Sequence, residues 1–113
     1  MNAFLINPFT KTITSVDYNG DYKSIYSLLG RGVSAFDCVG IIDEDTIYVD
    51  DEGLFKSDQA YFQCRLGNEG DYEETYYHPL AGIGLVLGGD EDGDSVSPGI
   101  TLEALTDRIV WGI

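Results

Sequence analysis

The amino-acid sequence predicts an α+β fold, a mostly antiparallel sheet of about five to six strands with one short internal helix and a C-terminal helix. Three observations carry this prediction. Short apolar blocks punctuated by Gly, Asn and Asp recur along the whole chain, as strands joined by tight turns do. Ile25, Leu28 and Leu29 recur at helical spacing, with Tyr22 and Tyr26 one turn apart, until Gly30 stops the run. Leu102, Leu105, Ile109 and Val110 form a second helical stripe behind Thr101, an N-capping residue type.

Taken in order, Ala3 to Ile6 and Lys11 to Tyr18 read as a hairpin turned by Asn7, Pro8, Phe9 and Thr10, and residues 21 to 30 follow as the short helix. Phe36 to Ile42 and Thr46 to Val49 read as a second hairpin around the acidic turn Asp43, Glu44 and Asp45. Asp50, Asp51, Glu52 and Gly53 turn the chain into Leu54 and Phe55, and Ala60 to Leu66 reads as a strand, although a short helical turn also suits it. Residues 67 to 79 form a polar loop. Leu80 to Leu87, with Gly82 and Gly84 inside it, reads as one buried central strand approached closely by neighbouring backbone. The loop Asp90 to Gly99 leads to the last helix, which is expected to bury Leu102, Leu105 and Ile109 and to end the chain.

At 113 residues and 43% apolar composition, the chain suits one domain with a core that needs no disulfide or metal. Cys38 and Cys64 each sit in an apolar block and are expected as buried thiols. No run approaches the roughly 18 apolar residues of a membrane span, and the N-terminus has no basic flank, so a cytoplasmic location is expected.

The charge is lopsided: 20 Asp and Glu face six Lys and Arg, a net charge of -14 at pH 7. Phosphates of nucleic acid or anionic lipid would meet a repulsive field, so direct nucleic-acid and membrane binding are excluded and the expected partners are basic.

Catalytic and cofactor chemistry finds little footing. The one histidine, His78, sits in a Tyr-Tyr-His-Pro context with no Ser or Cys motif beside it, so no catalytic residue is assigned. The run Gly82 to Gly89 lacks the glycine turn between strand and helix that cradles phosphate, and Asp90, Glu91, Asp92 and Asp94 follow it at once. Structural glycine is the better reading. Asp90, Asp92 and Asp94 match the first three ligand positions of a calcium loop, but Ser95 stands where that loop needs Gly and Thr101 where it needs Glu. Neither a metal nor any other cofactor is expected.

The distribution of charge is the strongest signal. Fourteen of the 20 acids fall into three clusters, at 43 to 52, 69 to 74 and 90 to 94, with no Lys or Arg between Arg31 and Lys56 or between Arg65 and Arg108. In extended chain, acids two residues apart share a face at roughly 6.6 Å, a spacing comparable to strand phosphates. Asp43, Glu44, Asp45, Asp71, Glu73, Glu74, Asp90, Glu91, Asp92 and Asp94 are therefore the candidate electrostatic contacts, with Tyr72, Tyr76 and Tyr77 as aromatic anchors.

The hairpin from Phe4 to Thr14, the segment Thr46-Ile47-Tyr48-Val49-Asp50-Asp51-Glu52-Gly53-Leu54, and Pro79-Leu80-Ala81-Gly82 leading into Leu85-Val86-Leu87-Gly88 together resemble a family of small phage proteins known as a domain of unknown function. That resemblance implies a phage or mobile-element origin, placing the protein in the host cytoplasm, and it implies no site residues. The expectation that results is an acidic protein that binds and inhibits a host nucleic-acid-binding or defence protein through a surface imitating DNA. A small-ligand or nucleotide-binding protein is one alternative. A homo-oligomeric structural protein, its acidic loops serving solubility, is the other.

Overall fold

The computed structural model describes residues 1–30, 33, 35–42, 44–53, 58–67 and 76–112, with backbone alone at Ile42 and Tyr76. The fold is α+β. Strands β1 (Asn2–Asn7) and β2 (Thr12–Asp17) form the first hairpin, whose turn is tied by the Asn7 side-chain oxygen accepting the N–H of Phe9 at 3.0 Å. Helix α1 (Lys23–Leu29) buries Ile25 and Leu29, one turn apart, and ends at Gly30, whose φ of 123° suits glycine alone. Strands β3 (Phe36–Ile42) and β4 (Asp45–Asp50) form the second hairpin, and β5 (Tyr61–Leu66) is a strand as predicted.

The predicted single strand Leu80 to Leu87 is two strands in two sheets. Strand β6 (Tyr76–Ala81) ends at Gly82, whose φ of +80° turns the chain into β7 (Gly84–Gly89). Strand β7 is central as expected: it lies between β1 and β4 in a six-stranded antiparallel sheet ordered β2-β1-β7-β4-β3, and β8 (Ser95–Val96) also pairs with it. Strand β6 belongs to a second sheet of three strands.

The C-terminal helix is also shorter than its stripe. Helix α2 (Leu102–Asp107) is capped as predicted, with Thr101 Oγ1 accepting the Ala104 N–H at 3.1 Å, but Ile109, Val110 and Trp111 form β9, which pairs with β5. Two β-branched residues and a tryptophan favour that strand over another helical turn. Of the predicted buried residues only Leu105 is sealed; Leu102 is exposed and Ile109 packs from β9.

Strict alternation on the sheet separates two apolar clusters. Leu85 and Leu87 of β7 face α1, joining Ala3, Tyr18, Ile25 and Leu29. Val86 points the other way, onto Phe62, Cys64 and Leu66 of β5, with Ile6, Ile47 and Leu105. The result is α1, then the large sheet, then the small sheet with α2. Gly84 lies where these layers touch: a Cβ there would meet Ile47 Cγ2 at 2.9 Å and Phe62 Cζ at 3.0 Å. Gly84 and Gly88 are thus packing residues, whereas Gly82 serves the turn.

The tyrosines are partly spent in this packing. Tyr18 is fully buried, and Tyr26, Phe36 and Tyr48 form an aromatic chain with centroid separations of 5.4 and 5.3 Å. The two cysteines differ: Cys64 is buried, whereas Cys38, on the edge strand β3, is exposed against expectation. No described helix is long and apolar enough to cross a membrane.

Candidate acidic site at one end of the sheet

Antiparallel pairing decides which acidic loops meet. Thr46 of β4 sits opposite Leu87 of β7, so the residues just before one strand and just after the other share an end of the sheet. That juxtaposes Glu44 with the Asp90 to Asp94 tip of the β7–β8 hairpin; the Glu44 backbone lies 3.6 Å from where a Gly89 Cβ would stand. The third acidic segment falls outside the described residues, as do Asp43, Asp71, Tyr72, Glu73, Glu74 and the Tyr76 side chain. The strand ends that flank it are nevertheless placed here, since Leu66 pairs with Tyr76 and the Gly67 N–H donates to the Ile41 carbonyl at 2.7 Å. Tyr77, next along β6, is exposed.

The acids at this end do different work. Glu44, Glu91, Asp92 and Asp94 are exposed. Asp90 organises its own loop: its Oδ1 accepts the N–H groups of Asp92 and Asp94, each at 2.9 Å, while the Gly93 N–H donates to its carbonyl at 3.1 Å. The carboxylate that a calcium loop would aim at an ion is here turned onto backbone.

Asp45 is not a surface charge. It is 5% exposed, and its two oxygens accept the N–H groups of Gly99 at 2.8 Å and Ile100 at 2.7 Å. These bonds pin the loop before α2 onto the sheet. Among the described residues no Lys or Arg forms an ion pair with Asp45.

Beside Asp45 opens a cavity of about 420 Å³, lined by Glu44 and Asp45 on one wall, Gly88 and Gly89 on the sheet, Val96, Ser97, Gly99 and Ile100 from the loop, and Ala104 and Arg108 from the helix. Arg108 is 5% exposed and its Nη1 donates to the carbonyls of Arg65 at 2.8 Å and Gly67 at 2.9 Å. It therefore serves as a buried tie between α2 and the end of β5. Sequence reasoning missed this cavity and Arg108; the available signal was the isolation of Arg108, with no other Lys or Arg after Arg65.

Asp50, Asp51 and Glu52 leave β4 at its opposite end, roughly 17 Å away at the strand rise. There Asp37, Asp50 and Asp51 border a smaller cleft of about 120 Å³ with His78, at the seam between the two sheets. The first acidic cluster of the sequence is therefore split between both ends. Burial pushes the Cys64 thiol up to about 11, against the opposing influence of Arg108 and Arg65. Burial and then Asp37 raise the Cys38 thiol as well.

Searches against curated proteins and against solved structures return no match. A family model does match, over residues 1–109, and its description is Domain of unknown function (DUF3846). The hairpin, the acidic turn and the glycine-bearing strand on which the resemblance rested all lie inside that span, and the chain belongs to the DUF3846 family.

Proposed function

We propose that this domain binds the basic surface of a partner protein through the acidic end of its large sheet. The observation that carries the reading is the placement of the exposed Glu44, beside Gly89, at the same end of the sheet as the hairpin tip that bears the exposed Glu91, Asp92 and Asp94, in a chain of net charge -14. Exposed carboxylates at hairpin tips offer the charge-assisted bonds that phosphates make with Lys and Arg. In its finer form the partner is a host nucleic-acid-binding or defence protein, the domain is of phage type, and it inhibits by occupying the groove that would hold DNA. Asp45 and Asp90, spent on backbone, position the surface, while Tyr77 offers an exposed aromatic beside it.

Affinity capture from bacterial lysate tests this reading, with the retained proteins challenged by duplex DNA. A nucleic-acid-binding protein displaced by the duplex is the expected result. Retention of nothing, or of proteins indifferent to DNA, counts against it. The cavity of about 420 Å³ supports a second reading, a small-ligand site, since it falls within the roughly 300–1,000 Å³ of such pockets. A metabolite whose Tm increase grows with the logarithm of its free concentration, as single-site binding requires, would favour that reading.

A further inference from the structure

We infer that the cavity beside Asp45 is a pocket for the ammonium end of a lysine side chain presented by the basic partner, an inference that rests on the acidic-end reading above. Asp45 is a buried carboxylate whose oxygens each take one backbone N–H, and among the described residues it has no cationic partner. A carboxylate pair of oxygens has about four acceptor sites, so the two backbone bonds leave acceptor capacity toward the cavity. A buried charge without a counter-ion is unfavourable, and an incoming cation relieves it.

The rest of the lining suits an alkylammonium. Val96, Ile100 and Ala104 provide apolar walls for a methylene stem, and the exposed Glu44 stands at the rim where the head group enters. Arg108, the one cation among the described lining residues, is committed to the Arg65 and Gly67 carbonyls and forms no ion pair with Asp45 or Glu44. Two carboxylates against one engaged guanidinium leave the pocket selective for a cation. Its volume also exceeds one lysine side chain, leaving room for the backbone of the loop that carries it.

The probe is n-pentylammonium chloride, a free copy of the lysine stem and head, titrated into the labelled protein and followed by the amide NMR signals of Gly89, Gly99, Ile100 and Ala104, with n-pentanol and sodium chloride as controls. Saturable shifts at those amides are expected, weakened up to about fivefold by Glu44→Gln, as for loss of an exposed carboxylate near the cation, and abolished by Ala104→Phe. Both substituted residues are exposed, so the fold survives each change. The inference is overturned if the shifts are absent, if Ala104→Phe leaves them unchanged, or if n-pentanol reproduces them at equal affinity. Failure of pentylammonium while the lysate partner is still held removes the pocket and leaves the acidic-end reading intact. Pentylammonium binding with no nucleic-acid-binding partner retained does the reverse.

Discussion

The carboxylate of Asp45, at the start of β4, accepts the backbone N–H of Ile100 at 2.7 Å across 55 residues of chain. With its second bond to Gly99 it fastens the loop before α2 to the large sheet, and so shapes one wall of the cavity.

Replacing Asp45 by Ala leaves two inward-facing N–H groups without acceptors, and is expected to cost about 3 kcal/mol in urea unfolding. Asp45→Asn recovers little of this, because its amide NH₂ would face one of the two donors. Glu44→Ala, one residue earlier and exposed, is expected to stay within about 0.5 kcal/mol of the parent. Equal, small losses for both positions would contradict the structural role of Asp45.

Gly84→Ala is expected to destabilise by about 1–3 kcal/mol, the cost of overpacking, because its Cβ would collide with Ile47 and Phe62 where the layers meet. Gly88→Ala should do the same through the Ser97 carbonyl, 2.7 Å from its Cβ position. Thermal unfolding of the two variants checks this, and a Tm equal to the parent would refute it.

Much of this fold was legible in the sequence, and the places where it was not share a cause. Both hairpins, α1, the central placement of β7 and the Thr101 cap follow from local patterns of turn residues and apolar spacing. What failed depends on long-range pairing. Nothing near Leu80 announces that β6 joins β5 in a second sheet, and Ile109 to Trp111 fits a helical stripe until β5 offers it a partner. The acidic end was legible only as clusters along the chain. Sequence grouped Asp43 to Glu52 together, whereas an extended strand drives its two halves to opposite ends. Asp45 looked like its neighbours because the donors it serves, the N–H groups of Gly99 and Ile100, lie so far along the chain.

The two thiols are expected to separate kinetically. At pH 8 a thiol reagent should modify Cys38 alone in the native protein, and more slowly than a free thiol, since its raised pKa lowers the thiolate fraction. Cys64 should react only after unfolding. Because burial lifts Cys64 from 9.0 to about 11, the unfolded chain releases that proton first as pH rises. Stability from this group is thus complete below pH 9 and declines between pH 9 and about 11, and Cys64→Ala should remove that decline. Rapid double modification of native protein would show that Cys64 is accessible.

The most direct measurement is affinity capture repeated with two charge variants, Glu44→Gln with Glu91→Gln, Asp92→Asn and Asp94→Asn at one end of β4, and Asp50→Asn with Asp51→Asn and Glu52→Gln at the other. The first variant should release the DNA-displaceable partner at markedly lower salt than the parent, and the second should hold it nearly as well. Equal retention by both variants, or loss caused by the Asp50 to Glu52 changes alone, would contradict binding through the acidic end that Glu44 and the β7–β8 hairpin form.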